Sequence, residues 1–236
     1  MYNVLQMRVR IFVFLSSIFY LLFSATSSVH AVVDPRNVLN NIFGIHIIDA
    51  NDLEDAAKLV NFNGGDWGYV TIVIREDDRD VGKWQQTFDK MRELRLIPII
   101  RLATKPEGAV LKKPTAEDAD SWMKFLSSLN WVVQNRYVVL FNEPNHANEW
   151  GGNINSREYA KVARSFRDVL KGNSEDFFVL PAGMDSAAPN GSDTMDALQF
   201  FEGMEKASPG IFKSFDGWAS HSYPNPGFSG SPLGTG

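Results

Sequence analysis

The sequence predicts an α/β fold built on a parallel sheet. Three observations carry that prediction. Short, nearly continuous apolar runs recur from Asn41 onward. Segments with apolar residues at helical spacing lie between them. Gly, Pro, Asn and Asp punctuate the joins. Apolar runs without polar alternation belong to strands buried on both faces, and strands alternating with helices belong to parallel sheets.

The elements follow in order. "NIFGIHII" (Asn41 to Ile48) is the first strand, and "NDLEDAAKLVNF" the helical segment after it. "WGYVTIVI" (Trp67 to Ile74) is rich in β-branched and aromatic residues and is the second strand. Trp84, Phe88, Met91 and Leu94 then recur at helical spacing. "RLIPIIRLA" (Arg95 to Ala103) is the third strand, with Pro98 near its start, where a missing N–H is tolerated. Trp122, Phe125, Leu126 and Leu129 line the next helix, which Thr115 caps. "YVVLF" (Tyr137 to Phe141) is the fourth strand. Tyr159, Val162, Ala163, Phe166, Val169 and Leu170 form the clearest helical stripe, opened by Asn155 and Glu158 as a capping box. "FFVLPAG" (Phe177 to Gly183) is the fifth strand, a helix spans about Asp193 to Lys206, and "FDGWASHSYP" (Phe215 to Pro224) is the sixth. The closing "NPGFSGSPLGTG" reads as loop.

Two architectures fit six β-α steps: a doubly wound open sheet and a (β/α)8 barrel. No Gly-rich turn of the dinucleotide or P-loop kind follows the first strand, which counts against nucleotide binding. Polar residues instead gather at the C-terminal ends of the strands, where barrels carry function. They are Arg101, Asn142 with Glu143, Asp185, and His221 with Tyr223. The expected fold is therefore a TIM-type (β/α)8 barrel with about six of its eight β-α units present.

Composition narrows the function. A chain of 236 residues holds one domain or at most two. Its net charge of −5, with no basic block, gives no nucleic-acid partner. It has no cysteine, which excludes disulfides and thiolate metal sites. Its four histidines (His30, His46, His146, His221) lack metal-ligand spacing, so neither a metal nor a cofactor is expected.

The chemistry concentrates in "VVLFNEPNHANEW" (Val138 to Trp150), where an apolar strand runs straight into Asn-Glu-Pro. Neighbouring side chains of a strand face opposite ways, so Asn142 and Glu143 share a site only where the strand ends and twists. A carboxyl group in such a partly wet site favours its neutral form, as a general acid must. The adjacent amide can contact a sugar hydroxyl.

"FNEPN" after the fourth strand and "HSYP" after the sixth resemble the clan A glycoside hydrolases, retaining enzymes on (β/α)8 barrels. The resemblance implies that Glu143 is the general acid/base and that Asn142 contacts the sugar 2-hydroxyl. It implies site roles for His221, Tyr223 and Arg101, and it suggests Trp150 as a stacking platform for a sugar ring. The implied function is hydrolysis of O-glycosidic bonds in a β-linked oligo- or polysaccharide. A retaining enzyme needs a second carboxylate about 5 to 5.5 Å from the first. The clan places it after strand seven, and the strand count here reaches six. On that count the chain is expected to lack its nucleophile and to be inactive alone. The other reading is a noncatalytic carbohydrate-binding barrel.

The remaining candidates carry plainer expectations. Trp67, Trp84, Trp122 and Trp218 are read as packing, His46 as a core histidine, and Asp185, Asn190 and His146 as loop residues. "NGS" (Asn190 to Ser192) matches a glycosylation acceptor.

At the N-terminus, Arg8 and Arg10 precede the apolar run Ile11 to Phe23, and small residues lead to "VHA" (Val29 to Ala31). That is the order of a secretory signal peptide spanning residues 1–31, with the hydrolase-like domain at 32–236. The apolar run is short for a bilayer span, though an uncleaved anchor has the same outline. Either arrangement places the domain outside the cytoplasm, and cleavage leaves no stable membrane association. Mass spectrometry of the exported protein is expected to find Val32 as the first residue; an intact Met1 on a membrane-bound product would contradict the leader.

Overall fold

A computed structural model describes residues 41–222, apart from the side chain of Asn63. The expected leader, Tyr223 and the closing loop lie outside these residues. All described residues belong to the compact unit Val33–Gly236.

One parallel sheet of five strands organises them. Its members are β1 (Gly44–His46), β2 (Gly68–Arg75), β3 (Leu96–Ala103), β6 (Arg136–Leu140) and β7 (Phe177–Pro181). A short antiparallel hairpin, β4 (Pro106–Glu107) and β5 (Val110–Leu111), follows β3. The helices are α1 (Leu53–Val60), α2 (Val81–Glu93), α3 (Asp118–Ser128), α4 (Ser156–Asn173), α5 (Ala197–Ala207) and the short α6 (Ile211–Ser214).

The strand order β1-β2-β3-β6-β7 never reverses. A doubly wound sheet reverses at its switch point; a barrel does not. Because parallel crossovers are right-handed, a one-way order puts every connecting helix on the same face. Burial agrees. Val70, Ile72, Ile74, Ile100, Leu102, Val138, Leu140, Phe177 and Val179 point to the helix side and are buried. The other face carries mostly half-buried residues, with Val139 buried, in rows set by the strand register. Thr71, Ile99, Tyr137 and Phe178 form one row, and Val73, Arg101, Val139 and Leu180 the next. The Tyr137 ring lies 5.0 Å from Phe178 and 6.0 Å from Tyr69. Rows of this kind are the side-chain layers of a barrel interior. The described residues are therefore an α/β fold with the geometry of a partial barrel.

Two helix starts differ in detail from the sequence expectation. Thr115, expected to cap α3, lies two residues before its N-cap Glu117, which makes no side-chain cap bond; the Asp118 carboxylate accepts from the Thr115 N–H (2.8 Å) and hydroxyl (3.1 Å) instead. At α4, Asn155 Oδ1 accepts from the Glu158 N–H at 3.0 Å, but the Glu158 carboxylate pairs with Lys113 instead of turning back.

One expectation changes. The sixth strand, read at Phe215 to Pro224, is among the described residues a single parallel bridge between Asp185 and His221. The cause is local to β7. The Asp216 carboxylate takes the Val179 N–H at 2.9 Å, which a neighbouring backbone would otherwise bind. Two residues on, Pro181 has no N–H to offer.

Tyr159 of α4 clamps the sheet where the site begins. It is fully buried, and its hydroxyl donates to the Leu140 carbonyl (3.2 Å) and accepts from the Ala182 N–H (2.6 Å). Burial pushes this phenol far above its ordinary ionisation range, so it remains a neutral cross-link between the ends of β6 and β7.

Candidate active site

The strand β6 ends at Leu140, and the backbone then leaves the extended region. Phe141 has φ 74° and Glu143 has φ 31°. Left-handed backbone at a residue with a side chain costs about 1–3 kcal/mol. The turn breaks strand alternation, so Asn142 and Glu143, both half-buried, emerge together at the C-terminal end of the sheet. Packing holds it in place. Phe141 is 4% exposed, its ring 5.2 Å from Phe166 and 6.1 Å from Trp150. Removing a ring so buried typically costs about 3–5 kcal/mol, more than the strain it offsets.

Trp150 therefore has a different task from the one the resemblance suggested. It is 0% exposed and packs edge-on against Tyr159 at 5.3 Å. No face of the indole can receive a sugar ring. It is core, and it supports Phe141.

Glu143 is held from two directions. Its N–H donates to the Gly183 carbonyl at 3.1 Å, and its Oε1 is hydrogen-bonded to His221 Nδ1 at 2.6 Å. The imidazole packs against Gly183: a Cβ there would stand 2.7 Å from His221 Cδ2. Only glycine leaves room for that ring. The neighbouring Asn142 accepts on Oδ1 from the Arg101 guanidinium. The structure thus brings Arg101, Asn142, Glu143 and His221 together from β3, the β6 loop and the segment after α6.

A second carboxyl group joins them. Glu149 closes the short 3-10 turn Ala147–Glu149 and is half-buried. Burial pushes its ionisation up, the Asn142 side chain opposes this, and the Glu143 charge pushes it further up. The charges of Arg101 and His146 pull the other way without cancelling the rise. Glu149 was not among the residues singled out from the sequence; it lies in a loop and ends no strand. The available signal was its place in the same loop as Glu143, one residue before a tryptophan.

Asn145 was also missed. It is fully buried, donates through Nδ2 to the Asp185 and Met195 carbonyls (both 3.0 Å), and accepts on Oδ1 from the Asp185 N–H at 3.2 Å. It staples the β6 loop to the β7 loop. Beside it, His146 Nε2 lies 3.0 Å from Asp185 Oδ2, and Asp185 is 7% exposed. These two loop residues brace each other.

A cleft of about 730 Å³ opens over the ends of β1, β2 and β3. His46, Ile48, Val73, Arg75, Asp78 and Arg101 line it, and Arg101 links it to the carboxyl pair. That volume suits a small-molecule ligand. His46 is exposed and not the core histidine expected. Desolvation first, then the charges of Arg101 and His221, lower its affinity for a proton. Among the described residues no group of three or more His, Asp or Glu is placed to hold a metal ion.

No family model matches the sequence, and no curated protein matches it. Among solved structures, the chain is similar to a monomeric beta-xylosidase from Caulobacter crescentus CB15. The TM-score is 0.57 at 13% identity, covering 81% of this chain and 45% of that one. The chain spans less than half the length of that enzyme, and at this identity the likeness is one of fold.

The raised Glu149 carboxyl makes a signed prediction. A carboxyl favoured in its neutral form stabilises the fold fully below its unfolded pKa. That contribution is lost as pH rises through the higher folded value. Replacing Glu149 with Gln is therefore expected to raise the midpoint of thermal unfolding more at pH 7 than at pH 4. An equal shift at both pH values would show that Glu149 ionises as freely as in the unfolded chain.

Proposed function

We propose that this fold carries the acid/base half of a retaining glycoside hydrolase acting on a β-linked oligo- or polysaccharide. Glu143 is the general acid/base in this proposal, Asn142 the contact to a sugar hydroxyl, and Arg101 and His221 the groups that orient them. Tyr223, which lies outside the described residues, has the same expected role as before, beside His221.

One observation carries the proposal. A strand-end carboxyl group emerges from a strained turn beside an amide, and an imidazole holds it at 2.6 Å. Strained backbone that the surroundings over-determine is a mark of functional sites. The fold likeness to a glycosidase and the sequence resemblance of "FNEPN" and "HSYP" support the same reading.

The chemistry follows from the parts. A protonated Glu143 donates its proton to the leaving glycosidic oxygen, and its carboxylate then deprotonates the incoming water. His221 Nδ1, hydrogen-bonded to Oε1, keeps one oxygen occupied and turns the other toward substrate. The second carboxylate, the nucleophile, comes from outside residues 41–222 in this proposal.

Leaving-group dependence tests it, on an enzyme with both carboxylates in place. Glu143→Gln is expected to cost on the order of 10² to 10⁴ in rate on alkyl glycosides, whose leaving group needs a proton. Activated aryl glycosides are expected to lose far less in the glycosylation step. Small and equal losses on both would remove Glu143 from the role.

A further inference from the structure

Every polar group of Asp185 is engaged. Its N–H donates to Asn145 Oδ1 at 3.2 Å, and its carbonyl accepts from Asn145 Nδ2 at 3.0 Å. Its Oδ1 accepts from the Ala187 N–H at 2.8 Å, and its Oδ2 lies 3.0 Å from His146 Nε2. The residue is 7% exposed. A carboxyl group so buried is costly unless partners replace water, so these contacts hold it to one position. What the stiffness serves shows on the neighbouring backbone. The Met184 carbonyl accepts from the His221 N–H, and the Ser186 N–H donates to the His221 carbonyl, both at 3.3 Å. These bonds flank Asp185 and make the parallel bridge between it and His221. At 3.3 Å they are long for N–H···O bonds and weak by themselves.

We propose that Asp185 is a positioning residue for His221: its carboxylate, braced by His146 and Ala187, holds the backbone of residues 184–186 at the register that sets the His221 imidazole against Glu143. The circuit closes through one loop. Glu143, Asn145 and His146 lie together after β6; Asn145 and His146 anchor Asp185, and the His221 ring returns to Glu143 Oε1 at 2.6 Å. Gly183, two residues before Asp185, accepts the Glu143 N–H and leaves room for the ring. A slip of about 1 Å would carry imidazole and carboxyl beyond hydrogen-bond reach. Asp185 thus acts on Glu143 through His221, without facing a substrate itself.

The consequence for rate rests on the glycosidase reading above; the placement of His221 does not. The decisive experiment is therefore spectroscopic. The His221 Nδ1 resonance, assigned by its loss in His221→Gln, is recorded on the whole chain by 15N-edited NMR at one fixed pH. Glu143→Gln is expected to move that resonance in the otherwise native chain and to leave it unmoved in Asp185→Ala, where the ring has left the carboxyl. Asp185→Asn keeps an acceptor for Ala187 and a polar group for His146, and is expected to restore the response. Phe88→Leu, a buried change in α2 that lowers stability away from these loops, is expected to keep it. A full response in Asp185→Ala, or its loss in Phe88→Leu as well, would overturn the proposal. If Asp185→Ala does not fold, His146→Ala, which removes the brace on Oδ2 alone, is read in the same way: a full response there overturns it.

A kinetic arm, on an enzyme with both carboxylates in place, adds the functional half. Asp185→Ala is expected to lower kcat by about 10²-fold with KM little changed, the effect of a misplaced group, and Asp185→Asn to restore most of it. An unchanged kcat in Asp185→Ala would contradict the positioning role. If the intact enzyme turns over no glycoside, the glycosidase reading fails while the His221 response still decides the role of Asp185.

Discussion

The left-handed backbone at Phe141 is the constraint on which the site depends. A strand that simply continued would send Asn142 and Glu143 to opposite faces of the sheet. With φ at 74°, Phe141 turns the chain at the end of β6, and both polar side chains come out on one side. The strain is offset by the ring itself, buried between Phe166 and Trp150. Chemistry and core are thus joined in one residue: its backbone serves the site, its side chain serves the fold.

Polar staples make the rest of the turn stiff. Asn145 ties the loop to the backbone of Asp185 and Met195, and Tyr159 ties Leu140 to Ala182. Apart from the half-buried Met195, these groups are buried, so each lost partner leaves an unsatisfied amide or carbonyl at about 1–3 kcal/mol. Gly183 completes the cradle by leaving space for His221 over Glu143. Against this rigid frame stands one unfavourable feature, the half-buried Glu149 carboxyl next to Glu143. Two carboxyl groups kept close at a cost to stability are more readily understood through function than through folding.

Much of this was legible in the sequence because it depended on burial. Apolar runs identified the five paired strands, and helical stripes placed the α2, α3, α4 and α5 segments. Position after an apolar strand picked out Asn142 and Glu143. What escaped depended on backbone geometry and on contacts distant in sequence. Periodicity says nothing of a positive φ at a phenylalanine. The capture of the Val179 N–H by Asp216, which with Pro181 cuts the sixth strand to a single bridge, involves residues 37 apart. The stacking role of Trp150 came from the resemblance; its burial against Tyr159 could not be seen from the loop alone. Asn145 and Glu149 share one difficulty. Their partners lie in other loops or were thought to have another task, and single-residue chemistry does not reveal a network.

The backbone at Phe141 can be measured directly through stability. Phe141→Gly and Phe141→Ala lose the same ring, so the difference between them reports the backbone alone. In an ordinary extended strand the alanine variant is the more stable, by about 0.5–1 kcal/mol. At a left-handed position the order inverts, because alanine meets the Cβ clash that glycine avoids. Equilibrium urea unfolding of the two variants should place the glycine variant above the alanine variant by about 1 kcal/mol. An alanine variant equal to or more stable than the glycine variant would contradict the left-handed turn, and with it the geometry that delivers Asn142 and Glu143 to one site.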